Sequence, residues 1–141
     1  MFYRNIAIIF FKEFQVPITS ILFYQEDEKD VPVLEWLQEL KRKNMKGFLS
    51  CAARIDRLAT YGHELRRPIA DYLRDGIYEL RAKHRNIQYR IFYYFEGQNV
   101  VVLSHAIVKK TSAVPKKDID LAIKRKEKFE RDPKQHTYVE K

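Results

Sequence analysis

The chain has 141 residues, of which 45% are hydrophobic and 33% charged, a balance that suits one domain with its own apolar core and excludes a disordered chain. It carries 27 Lys and Arg against 19 Asp and Glu, a formal net charge of +8, and residues 63–134 alone hold 17 of those cations against 10 of the acids. Nearly all the excess therefore sits in the C-terminal half and points to an anionic partner, while a single cysteine excludes an intramolecular disulfide framework and a cysteine-based zinc finger.

Residues 6–11 form an apolar run of six. A signal peptide needs ~7–15 such residues and a membrane span ~20, so neither is expected. Residues 1–18 read as an extension of unassigned role. A reducing, cytoplasmic setting is the expectation from cysteine usage. Val16 to Tyr24, with Ile18, Ile21, Leu22 and Phe23, reads as a strand. A charged turn, Glu26 to Asp30, follows, and Pro32 then suits the first turn of a helix, with Asp30 as its cap or dipole partner. Val33, Trp36, Leu37 and Leu40 fall on one face of that helix, and Lys41, Arg42 and Lys43 favour its end.

A second helix is predicted from Met45 to Tyr61, with Phe48, Ala52, Ile55 and Ala59 as its apolar stripe and Gly62 at its end. So short a link makes the pair an antiparallel hairpin. The period then changes to two. Gly76 to Arg81, Gln88 to Phe95 and Val100 to Ile107 read as three strands of an antiparallel meander. Ile77, Glu79 and Arg81 face one way in the first of them, Tyr78 and Leu80 the other. Pro115 opens a last helix that Asp132-Pro133 ends, and residues 132–141 read as a frayed tail. The fold class is α+β.

Several chemistries drop out. His63, His84, His105 and His136 show no metal-ligand spacing, and Gly47, Gly62, Gly76 and Gly97 are too far apart for a phosphate-cradling loop. No metal or small-molecule cofactor is expected. Cys51 falls on a helix core stripe and reads as a buried structural thiol. What remains is basic. Arg81, Arg90, Lys109 and Lys110 lie on or at the ends of the three strands, and Arg66 and Arg67 precede the first. Cross-strand neighbours would gather such side chains on one sheet face, where they suit a phosphodiester. Arg81 continues a regular alternation, so it needs either an anionic ligand or an ion pair with Glu79 or Glu96. The interleaved aromatics, Tyr78, Tyr89 and Phe92 to Phe95, suit a core. Lys116, Lys117, Lys124, Arg125, Lys126 and Lys128 suit a solvated helix face that raises the on-rate for RNA.

Three segments, in order and spacing, resemble the phage-derived branch of RelE/HigB-type toxins. They are Tyr72-Leu73-Arg74-Asp75-Gly76-Ile77-Tyr78-Glu79-Leu80-Arg81, Tyr89 to Phe95, and His105 to Thr111 followed by Val114 to Ile119. Pro32-Val33, Gly62 and Pro68 also fit, and the resemblance spans residues 19–131. It implies a RelE-like fold: an N-terminal strand and helical hairpin on a curved antiparallel sheet, with a C-terminal helix. It implies a toxin of a type II toxin–antitoxin module that cleaves mRNA in the ribosomal A site without metal. The ribose 2′-OH attacks the adjacent phosphate, giving a 2′,3′-cyclic phosphate and a 5′-OH. In that scheme Arg81 binds the scissile phosphate and Arg90 assists or orients it. Lys109 and Lys110 match a Lys-Lys motif, with Lys110 as acid or charge stabiliser. His105 stands at a position for a base, and Arg66, Arg67, Lys116 and Lys117 bind RNA. The implied partners are a helix-turn-helix antitoxin and the ribosome with its mRNA. Residues 111–115 lack the aromatic that some relatives stack on the substrate base. Two other readings share these features: a ParE-like toxin acting on DNA gyrase, and a non-catalytic RNA- or protein-binding domain.

Overall fold

The computed structural model describes residues 19–140; the predicted extension, residues 1–18, lies outside them. Five strands and three helices follow in chain order: β1 (Ser20–Phe23), α1 (Pro32–Lys43), α2 (Met45–Tyr61), β2 (Ala70–Arg74), β3 (Ile77–His84), β4 (Ile87–Phe95), β5 (Val100–Lys109) and α3 (Lys116–Arg131). A 3-10 turn, Gly62–Glu64, follows α2. The sheet order is β1-β5-β4-β3-β2. Strands β2 to β5 form an antiparallel meander. Strand β1 pairs with β5 in parallel, which makes the sheet mixed where a wholly antiparallel one was expected. The α+β class and the RelE-like arrangement hold.

Two cores follow from the period-two alternation of the strands. Leu80, Ala82, Tyr89, Ile91, Tyr93, Val101 and Leu103 meet Leu37, Ile55 and Leu58 of the helical hairpin. On the other face Ile77, Phe92, Tyr94 and Val102 meet Ala122 and Phe129 of α3. Helix α3 covers only part of that face, which leaves the far ends of β3, β4 and β5 for other work. Cys51 is fully buried in the hairpin core, and burial pushes its thiol up to about 12.

Local signals explain the helix ends. Pro32 starts α1, and the Glu35 carboxylate, not Asp30, accepts from the Val31 N–H at 3.2 Å. Asn44 closes α1 and opens α2: its N–H donates to the Leu40 carbonyl at 2.7 Å and its side-chain oxygen accepts from Gly47 N–H at 3.0 Å. A methyl group at Gly47 would lie 2.3 Å from the Tyr89 hydroxyl, whose ring is buried and has no room to retreat. Gly47→Ala should therefore destabilise the fold by ~1–3 kcal/mol despite alanine's better helix propensity, read as a lower urea midpoint with unchanged slope.

Strand β2 was not expected. It forms a hairpin with β3 through Asp75-Gly76, both at positive φ (51° and 82°), the conformation of a primed two-residue turn. The C-terminal segment is docked, not frayed. Tyr138 N–H donates to the Phe23 carbonyl at 2.9 Å, Thr137 bridges to Tyr24, and the His136 ring stacks on Tyr24 with centroids 5.3 Å apart.

Candidate nucleic-acid interface

Register builds the site. Arg81 stands directly opposite Arg90, and Lys83 opposite Gln88. Gln88 in turn stands opposite Lys109, and Arg90 opposite Ile107. Opposed residues of antiparallel strands share a face. Arg81, Lys83, Gln88, Arg90 and Lys109 therefore lie on the half of the α3 face that α3 leaves open. Strand β2 begins pairing at Ala70, and the Ile69 carbonyl before it accepts from the Arg81 N–H at 2.7 Å, so β2 leaves the edge of β3 unpaired only beyond Arg81. A cavity of about 300 Å³ opens there, lined by Arg54, Pro68, Arg81, Ala82, Lys83, Gln88 and Arg90. Each charged residue in that lining is a cation. The Ser50 hydroxyl donates to the Lys83 carbonyl at 2.7 Å and pins this end of β3 to α2, one turn before Arg54.

One buried carboxylate organises the arginines. The Glu79 side chain is only 4% exposed and accepts from Arg81 Nε at 2.8 Å. Its other oxygen lies 3.5 Å from Arg90 Nε, and neither of these two atoms has a hydrogen-bond partner among the described residues. The two terminal nitrogens of Arg90 each donate one hydrogen bond, to the Tyr89 carbonyl and to Gln88 Oε1, both at 3.0 Å. Burial pulls the Arg90 guanidinium below its ordinary value; Glu79 opposes this and Arg81 adds to it. Arg81 is freer. Its side chain is 32% exposed, with one terminal nitrogen 3.4 Å from Asp71. A held, buried cation behind a half-exposed one is an arrangement that suits an oxyanion.

The other expected residues fall in three places. Lys110 is exposed and lies one residue past β5, outside the row that holds Lys109. His105 shares a row with Phe92, and the two rings stack with centroids 5.7 Å apart. Its Nε2 donates to Asp118 at 2.8 Å, and its Nδ1 faces an Arg125 N–H at 3.3 Å. Both ring nitrogens are thus engaged in holding α3 to β5. Arg66 and Arg67 sit in the turn before β2, where Arg66 donates to the His63 carbonyl and Arg67 to Asp71 at 2.9 Å. Lys116 and Lys117 open α3, and Lys116 pairs with Asp120 at 2.8 Å. Sequence reasoning missed Arg54 and Lys83 as members of the cleft. Their signals were present: Lys83 continues the alternation of Glu79 and Arg81, and Arg54 follows Ser50 by one helical turn.

Burial pulls His105 below its usual range; the Asp118 bond opposes this and the Arg125 charge reinforces it. The unfolded chain then binds a proton that the folded ring refuses, so stability should fall as pH drops from ~7 to ~5. Glu26, Asp71 and Asp120 are held below the usual carboxylate range by their cationic partners, so their contribution is lost only at lower pH. His105→Gln should flatten the urea midpoint across pH ~5–7 and leave the steeper loss below pH ~4 in place.

Among the described residues no helix is long and apolar enough to cross a membrane, and no group of three or more His, Cys, Asp or Glu side chains is placed to hold a metal ion. No curated protein matches the chain. A family model described as "Phage derived protein Gp49-like (DUF891)" matches residues 35–127, from α1 through the open sheet face and into α3. The chain belongs to this phage-derived Gp49-like family, which is associated with the toxins of toxin–antitoxin systems and so implies an antitoxin partner.

Proposed function

We propose that this protein is an endoribonuclease toxin that cuts mRNA held by the ribosome, with residues 19–131 as the toxin unit. The observation that carries this reading is the cleft at the bare edge of β3, where Arg81 and Arg90 stand opposite one another and Arg54 and Lys83 complete a cationic lining. Negative charge grows on the non-bridging phosphoryl oxygens as the ribose 2′-oxygen attacks. Arg81 meets that charge, and Arg90, fixed by Glu79, Gln88 and the Tyr89 carbonyl, orders it. The P–O5′ bond breaks as the 2′-O–P bond forms. The leaving 5′-oxygen takes a proton from the Lys83 or Lys109 ammonium, and the 2′ proton passes to water. Lys109 takes the part that the resemblance gave to Lys110, because it stands in the row with Gln88. His105 acts through α3 as a positioning residue, since both its nitrogens are engaged.

The ribosome supplies the orientation of the mRNA that so open a cleft lacks. Arg66, Arg67, Lys116 and Lys117 would serve as an electrostatic approach surface for the RNA. A helix-turn-helix antitoxin of acidic character, in the cytoplasm, would cover it. The test uses purified protein in three lanes: free mRNA, mRNA on programmed ribosomes, and gyrase with supercoiled DNA. Cutting in the ribosome lane is the expected result. Gyrase inhibition with intact mRNA would overturn the reading in favour of a ParE-like target.

A further inference from the structure

A second cavity, of about 620 Å³, opens beside the first and is lined by His63, Leu65, Arg66, Arg67, Ala70, Asp71, Tyr72 and Tyr78. Its volume lies in the ~300–1,000 Å³ range of small-ligand sites. Tyr72 is 52% exposed, on the edge strand β2. Lone exposed aromatics are ordinary. This one is held. Its hydroxyl accepts from the Gly76 N–H at 3.1 Å, and its ring meets Tyr78 edge-on with centroids 5.0 Å apart. The strand is bulged just after it, between Tyr72 and Arg74, a device that re-aims side chains.

One carboxylate, Asp71 in the lining of the second cavity, links it to Arg81 in the lining of the first. Asp71 accepts from Arg67 at 2.9 Å and lies 3.4 Å from Arg81. Its charge is met from both sides, so it does not repel an incoming anion. A guanidinium of each cavity thus stands beside the same group, and a single strand crossing from one to the other meets a cation at each step. Aromatic faces beside a cationic track are how single-stranded RNA is held without pairing.

We infer that this second cavity is a nucleotide subsite in which a base next to the scissile phosphate stacks on Tyr72 while Arg67 takes its phosphate. The inference rests on the ribonuclease reading and adds the substrate's second contact to it. It also fills the gap left by residues 111–115, which carry no aromatic. The site is set by β2 and the turn before it, not by the segment that follows β5.

The test is binding of 2′-O-methyl trinucleotides, which cannot be cut, with 2-aminopurine placed in turn at each of the three positions. Wild type should quench one position through stacking. Tyr72→Ala should abolish that quench and weaken binding about 10- to 100-fold. Tyr72→Trp should keep both. An abasic residue at the quenched position should weaken wild-type binding to the same degree, a comparison that needs no variant to fold. Equal affinity of wild type for the abasic and intact strands, or of Tyr72→Ala and wild type for the intact one, would overturn the subsite. Binding that is lost in Arg81→Ala and indifferent to Tyr72 would overturn the subsite alone. No binding by wild type would overturn the subsite, while the ribonuclease reading stands or falls separately on cutting in the programmed-ribosome lane.

Discussion

Glu79→Ala should destabilise the protein by ~3–5 kcal/mol, because it leaves a buried guanidinium without its counter-charge. Arg90 is 6% exposed, and Glu79 is its only ion-pair partner among the described residues. Burial already disfavours the charged form of Arg90, and Glu79 is the group that opposes this. Phe92, directly opposite Glu79 on the same face, is fully buried and shields one flank of the pair. Removing both charges should cost less than removing one. Glu79→Gln with Arg90→Met should recover much of the urea midpoint that Glu79→Ala loses, while RNA cleavage stays lost. A Glu79→Ala variant as stable as wild type would show that the pair contributes nothing to the fold.

Arg81→Ala should have the opposite profile. Its side chain is partly exposed, and its carboxylate partners keep other contacts: Asp71 with Arg67, Glu79 with Arg90. Glu79 then loses its hydrogen bond from Arg81, so the stability change should be ~1–3 kcal/mol, below that of Glu79→Ala because Arg90 stays beside the carboxylate. Cleavage, in contrast, should fall by ~10²–10³-fold or more, the usual cost of removing one preorganised donor from a developing oxyanion. Arg81→Lys should restore little. A guanidinium can grip the phosphate through two donors and keep Nε on Glu79, whereas an ammonium cannot do both. Stability lost and activity kept would be the signature of a purely structural arginine.

The helical hairpin and three of the strands were legible because apolar spacing decides them: Met45–Tyr61 matches its predicted bounds, and Pro32 and Gly62 are local punctuation. Strand β2 was obscured by polarity. Asp71, Arg74 and Asp75 break the apolar alternation that marks a strand, although Asp75-Gly76 is a strong hairpin signal. The parallel pairing of β1 depends on where β5 ends up after three reversals, which no local pattern encodes. The docked tail depends likewise on Tyr24 and Phe23, more than 110 residues away, offering a ring and a carbonyl.

At the site, the Arg81–Glu79 contact is one of the two ion pairs, with Glu79 or Glu96, that the sequence offered. The engagement of His105 with Asp118 and Arg125 was not legible there, because both partners lie on α3 and reach it only once the helix packs. The same holds for the cleft: Arg54 and Pro68 come from elements that meet β3 only through the fold. Register separated Lys109 from Lys110, and a count of charges does not carry register.

In the proposed reaction the Arg81–Arg90 cleft holds the phosphate that is broken. The most direct measurement is the end chemistry of mRNA recovered from programmed ribosomes after incubation in EDTA-free buffer with wild type or with folded Arg81→Ala. Wild type should give fragments with a 2′,3′-cyclic phosphate and a 5′-OH, and the variant should leave the mRNA intact. The same fragments at the same rate from Arg81→Ala would contradict that placement of the phosphate.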